Sequence, residues 1–299
     1  MKKSTAFILQ ATIGILILAI ISVFISNLSV NLIRTGMGLN FNWMVEPAGF
    51  ALSENSLPYK PSDNYAWALC IGWFNSLKVI FAGIFISTVI GLMAGIARIS
   101  NNILLRKISS LYVALIRQIP LLIQLMFWYF VVFLSISEKP VTILGENLII
   151  SNQGINIFGL SLSVEFSALL IGLSIFTGAT IAEVVRGGLN SVSIGQWDAF
   201  RSLGISETNG LSKVIIPQAL PAIIPGLTSQ YLNLAKNSTL AIAVGYADLY
   251  AISDTTITQT GRAIEGFLIL LLSFLFLNII ISRAMEILNQ FTIKLNYHK

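Results

Sequence analysis

Val79-Ile-Phe-Ala-Gly-Ile-Phe-Ile-Ser-Thr-Val-Ile-Gly-Leu-Met-Ala-Gly-Ile-Ala97 carries no charge from end to end. A helix needs about 20 predominantly apolar residues to cross a ~30 Å hydrocarbon core, and this run supplies them. Five more stretches read the same way. Phe7–Ile25 is uncharged and stays so as far as Val30, Ile119–Ile136 is interrupted by Gln124, and Phe166–Ala182 is uncharged before it meets Glu183 and Arg186. Ala219–Ala235 contains Pro221 and Pro225 and runs into Lys236, and Gly266–Ser282 ends at Arg283. Composition agrees: of 299 residues, 55% are hydrophobic and 10% charged, with mean hydropathy +0.82, whereas soluble domains carry about 25% charged residues. The expectation is an all-α integral membrane protein with about six transmembrane helices.

Two other readings are set aside from the sequence. Lys2 and Lys3 ahead of the first run imitate a signal peptide, but the run exceeds the roughly 7–15 residues of a signal core and no A-x-A site follows. It reads as a retained helix. A single cysteine, Cys70, excludes an intrachain disulfide, and with one histidine, His298, a Cys/His metal cage within the chain is excluded too.

Cation placement then sets an orientation. With the N-terminus cytoplasmic, the inside segments hold Lys2, Lys3, Arg98, Arg106, Lys107, Arg117, Arg186, Arg201, Lys213, Arg283, Lys294 and Lys299. The outside segments hold Arg34, Lys60, Lys139 and Arg262, while Lys78 and Lys236 fall in or beside spans. The net charge of +5 is therefore a topology signal and not a nucleic-acid footprint. The chain divides into an N-terminal helix (1–30), an outside loop (31–66) with Pro47, Pro58 and Pro61, a membrane core (67–285) and an inside tail (286–299). A second outside loop, 137–160, contains the turn-like Asn152-Gln153-Gly154, and the inside loop 186–217 is the most polar inside segment. No repeat of fixed period is visible.

That inside loop is where chemistry concentrates. Ser193 and Gln196 have the spacing of a helix capping box, and Gly204 suits a left-handed helix stop. Between them Trp197, Ala199 and Phe200 give a short helix apolar surface, to be covered by a partner protein or by lipid headgroups. Asp198-Ala199-Phe200-x-x-x-Gly204, nine residues, then Val214-x-Ile216-Pro217 resembles the EAA loop (E-A-A-x3-G-x9-I-x-L-P) of ABC-importer permeases. Asp replaces Glu, Phe the second Ala, Val the Ile and Ile the Leu; of these, only Phe200 changes size markedly.

Other strings narrow the resemblance to permeases for polar amino acids: Arg117-Gln-Ile-Pro120-Leu-Leu-Ile-Gln124-Leu, Gly195-Gln-Trp-Asp-Ala, Ile216-Pro-Gln-Ala-Leu220 and Leu234-Ala-Lys236-Asn237-Ser238-Thr239-Leu240. The extra first helix, the loop 31–66 and Pro225-Gly-Leu-Thr-Ser-Gln-Tyr-Leu-Asn-Leu-Ala-Lys resemble the general L-amino-acid subgroup. The resemblance covers about residues 70–285 and implies the type I ABC-importer permease fold, here with one extra N-terminal helix. It also implies a second permease subunit of a different sequence, a cytoplasmic ABC ATPase dimer and a periplasmic amino-acid-binding protein. Gln196, Trp197, Asp198, Ala199, Phe200, Gly204 and Pro217 are the ATPase-coupling residues it points to. The chain has no G-x-x-x-x-G-K-[ST] loop, so ATP and Mg are expected in the partner ATPase, and no catalytic residue, metal or cofactor is assigned to this chain.

An ionisable group in a span is a functional-site hypothesis by default. The stretch from Gln218 to Tyr250 is too long for one crossing, and a break at Lys236–Thr239 would expose backbone to a polar cavity. Lys236 is the candidate for a substrate carboxylate, with Asn237, Ser238, Thr239 and Gln124 as neutral partners. The competing reading has Lys236 closing a helix C-terminus. Glu183 and Arg186 read as an ion pair at the interface, Gly91-x-x-x-Gly95 as packing, and Pro217, Pro221 and Pro225 as helix-start and kink devices. The function expected is import of L-amino acids across the bacterial inner membrane by an ATP-driven permease. An ion-coupled secondary transporter is the rival, but the spans hold no mid-depth Asp or Glu; another is the same permease serving a different small polar solute. A membrane-embedded enzyme lacks any catalytic constellation facing one leaflet.

Overall fold

The computed structural model describes residues 3–34, 38–54, 57–136, 141–142 and 147–297. Lys2, Lys139, His298 and Lys299 lie outside them. The helices are α1 (Lys3–Arg34), α2 (Tyr65–Ala97), α3 (Ile103–Gln118), α4 (Leu121–Met126), α5 (Val164–Asn190), α6 (Ile194–Ser202), α7 (Glu207–Gly210), α8 (Ile216–Asn237), α9 (Leu249–Thr260) and α10 (Ala263–Tyr297). Among the described residues, five helical stretches are long and apolar enough to cross a membrane, six if the bent pair of α3 with α4 and its continuation counts as one.

That pair corrects the third expected span. The chain turns by 105° between Gln118 and Leu121, because Pro120 bars its predecessor from helical backbone and Ile119 is extended (φ −96°, ψ 128°). Six α-helical residues and the seven π-helical residues Phe127–Phe133 rise only about 20 Å, so Ile119–Ile136 is not a complete crossing by itself. Gln124 explains how the break is tolerated: its Nε2 donates to the carbonyls of Ile116 (2.8 Å) and Ile119 (2.9 Å), groups that the broken helix leaves open. Pro221 and Pro225, by contrast, lie within a continuous α8.

The core is α2 against α5. A Cβ on Gly91 would stand 2.3 Å from Ile181, and one on Gly95 would stand 2.7 Å from Val185, so the glycine pair permits the close approach expected of it. Leu189, Ile215, Ile223, Ile224 and Leu234 continue this core into α8. In α1, no residue of the most apolar window is buried, as suits a helix whose surroundings are lipid. α10 is helical through Tyr297, so residues 286–297 of the expected tail extend that helix.

The described residues of the two expected outside loops form defined structure. The described residues 141–142 and 147–162 form an antiparallel meander, β1 (Val141–Thr142), β2 (Leu148–Ser151), β3 (Gly154–Ile157) and β4 (Leu160–Leu162), with Asn152-Gln153 as the β2–β3 turn. Among the described residues the fold is thus helical with one small sheet. Between α1 and α2 the described residues 38–54 and 57–64 form a strap across the helix ends. Trp43, Ala48 and Tyr65 are buried with Leu249, Ile252 and Leu270, Asn40 N–H donates to Glu265 (3.0 Å), and the Tyr65 hydroxyl donates to Gln259 (3.0 Å).

Candidate functional site

The coupling segment begins where α5 ends. Ser193 caps α6 with its backbone, without a side-chain cap bond, and Gln196 accepts from Gln218 (3.2 Å), so the expected capping box does not form. The stop does. Gly204 is left-handed (φ +68°), its N–H donates to the Arg201 carbonyl (3.0 Å), and Ile205 N–H donates to the Phe200 carbonyl (3.0 Å). Those two bonds constitute a Schellman motif.

Helical geometry then sorts the faces of α6. Phe200 is 2% exposed, seated so closely on Gly210 that a Cβ there would lie 2.3 Å from its ring. The expectation that Phe200 offers itself to a partner is corrected: it anchors α6 to its own chain, and Gly210 makes room for its extra bulk. Trp197 is half-buried on the same side, with the Arg201 guanidinium 5.5 Å from both rings. Arg201 pairs with Glu207 at 2.8 Å, and that hydrogen bond holds its pKa above the usual guanidinium value. At 100° per residue the outward face consists of Gly195, Asp198, Ala199 and Ser202, rimmed by Ile194 and Leu203, all exposed. Pro217 opens α8, joined to α7 by the π-helical turn Leu211–Ile215.

Three arginines assigned to one side of the membrane converge on one carboxylate. Glu183 lies 2.7 Å from Arg98 and 3.3 Å from Arg117 through one oxygen, and 3.0 Å from Arg186 through the other. The expected i, i+3 pair is therefore a hub joining the ends of α2, α3 and α5. Sequence spacing exposed only Arg186, since the other two partners are distant in sequence.

At the break in α8 the helix ends at Asn237 and continues as a 3-10 segment, Ser238–Val244, closed by left-handed Gly245. Lys236 is exposed, Asn237 and Thr239 half-buried and Ser238 buried. Both hydroxyls serve the helix end, Ser238 donating to the Ala235 carbonyl (2.9 Å) and Thr239 to that of Lys236 (2.8 Å). Lys236 forms no ion pair among the described residues. Gln124 is committed to the α3–α4 break, with its Oε1 buried and unpartnered.

A second polar group, unanticipated from sequence, lies beyond the far end of that segment. Asn75 donates to the Ala247 carbonyl (2.7 Å) and Ser76 accepts from Leu249 N–H (3.1 Å). Asp248 caps α9 through Ala251 N–H (2.8 Å), and burial pushes its carboxyl up to about 7.

The family described as binding-protein-dependent transport system inner membrane component matches residues 87–294. A putative amino-acid ABC transporter permease of Escherichia coli (strain K12) is 30% identical over 95% of this chain and 93% of its own. The general L-amino acid transport system permease protein AapQ of Rhizobium johnstonii is 32% identical over 88% of this chain and 86% of its own. Among solved structures, an amino acid ABC transporter crystallised with histidines superposes with TM-score 0.60 at 26% identity, covering 76% of this chain and 94% of that one. With a family match running from α2 to α10 and two relatives aligned along most of their length, this chain belongs to the inner-membrane permease components of binding-protein-dependent ABC transport systems.

Proposed function

We propose that this permease imports L-amino acids, with a binding protein delivering them to the strap side and an ATPase pair working on the α6 side. The single observation that carries the coupling reading is the outward face of α6. Gly195, Ala199 and Ser202 are small and allow a groove on the ATPase to approach closely, while Asp198 supplies charge and Ile194 and Leu203 supply apolar rims. The Phe200 departure from the EAA pattern falls on the inward face and leaves the groove fit intact. Movement of the ATPases would enter at α6 and pass through Phe200 and Gly210 into α8, whose other end carries Lys236. Relatives named for amino acids support the substrate class, and the subgroup resemblance supports a pair of two different permeases.

Reconstitution tests it directly. The complete complex in proteoliposomes, with loaded binding protein on the strap side, should accumulate L-glutamine only when ATP is supplied on the α6 side. Accumulation without ATP would favour the ion-coupled rival. The orientation has its own check in intact cells. In a Cys70→Ser background, Asp63→Cys should react with an impermeant maleimide from outside, and Glu207→Cys only after permeabilisation. The reverse pattern would remove both the orientation and the placement of the ATPase.

A further inference from the structure

Glu54 of the strap is held in a cradle shaped for a carboxylate. One oxygen lies 2.7 Å from Lys78 Nζ on α2, and the other accepts from the Ser163 hydroxyl (2.5 Å) at the start of α5. The ammonium sits 4.3 Å above the centre of the Phe166 ring, which fixes it from behind. Glu54 is well covered (12% exposed), whereas the Lys78 side chain keeps 35% of its surface open.

The strap does not depend on this carboxylate for its place. The Glu54 carbonyl accepts from Asn75 Nδ2 (3.1 Å), and the Ser53 hydroxyl donates to the Gly245 carbonyl (2.9 Å). Trp43, Ala48 and Tyr65 hold the strap by apolar burial. With its backbone pinned on both counts, the Glu54 side chain can leave the cradle while the strap stays. Ser53 also locates the cradle, because Gly245 ends the 3-10 segment that starts beside Lys236.

We propose that Lys78 and Ser163 form an entry subsite for the α-carboxylate of the transported amino acid, with Glu54 as a tethered stand-in that occupies it at rest. The inference rests on the importer reading above. Exchange of one carboxylate for another keeps Lys78 paired, whereas an empty cradle would strand a partly buried ammonium. A tethered group competes at an effective concentration in the millimolar range. Free solute at micromolar levels is therefore held out, and solute released by a docked binding protein directly over the cradle is admitted.

The test is uptake of L-glutamine by the reconstituted complex as loaded binding protein is titrated. Glu54→Gln keeps shape and removes the competing charge, and should lower the half-saturating concentration at least threefold without lowering the maximal rate. Lys78→Met should cut the maximal rate at least tenfold, and adding Glu54→Gln should not restore it. Lys78→Arg should retain part of the rate. All variants are compared at equal copurified ATPase, so misassembly is scored separately. The proposal is overturned if Glu54→Gln loses uptake alongside Lys78→Met, which would make the pair a clamp only. It is equally overturned if Glu54→Gln leaves half-saturation unchanged, or if Lys78→Met transports normally. Absence of ATP-driven uptake by the unmodified complex would instead overturn the importer reading, since the cradle is judged only by ratios among variants.

Discussion

Lys236→Met is expected to abolish amino-acid uptake while the permease still assembles with its ATPase and retains basal ATP hydrolysis. The residue sits in the last turn of α8 and is exposed in the single chain. A lysine at this depth is costly to keep unless something meets it. Among the described residues nothing pairs with it, in contrast to Lys78. Methionine preserves length and apolar volume, so packing changes little. What it removes is the charge, and losing one partner of a desolvated ion pair costs about 2–5 kcal/mol, about 30-fold or more in rate. Normal uptake by the variant would eliminate a carboxylate partner at Lys236. Loss of the ATPase from the purified complex would assign the lysine to the helix end, where its charge also complements the C-terminal carbonyls.

The residues that were legible in the sequence are those whose role is local. Gly204 dictates the end of α6 because backbone sterics act over one or two residues, although Pro120 acts just as locally and the expected span Ile119–Ile136 runs straight through it. The glycine pair in α2 was legible for a similar reason: helical periodicity puts both on one face. Roles that depend on partners far along the chain were not. Nothing near Glu54 announces Lys78 or Ser163, and the spacing around Glu183 revealed one arginine of three. The meander was hidden because its strands run only two to four residues, too short for alternation to register. Phe200 shows a further limit. Composition marks an aromatic on a short polar helix as a surface anchor, yet only the fold supplies Gly210 opposite it.

The inward turn of Phe200 changes which substitutions should uncouple the complex. Leu203 is 76% exposed and forms a rim of the outward face of α6, so Leu203→Asp removes little from the chain's own packing. It should nevertheless disrupt ATPase docking, because a carboxylate placed in an apolar contact must be desolvated without a partner. Ala199→Trp should do the same by volume, since a groove fitted to Gly195, Ala199 and Ser202 has no room for an indole. Small interfaces concentrate their energy in a few such contacts, and a loss of about 2 kcal/mol or more, about 30-fold in affinity, is expected for each. Gly204→Val acts differently. Its Cβ would meet nothing within 4 Å, so the cost is conformational, about 1–2 kcal/mol for a left-handed residue, with α6 re-aimed as a consequence. Trp197→Ala should loosen the seat shared with Arg201 and Phe200 and weaken docking less than either outward change. Copurification of the ATPase, read beside ATP hydrolysis stimulated by loaded binding protein, ranks the four. If Leu203→Asp and Ala199→Trp both retain the ATPase and full stimulation, the outward face of α6 is not the contact, and the coupling role of this loop falls with it.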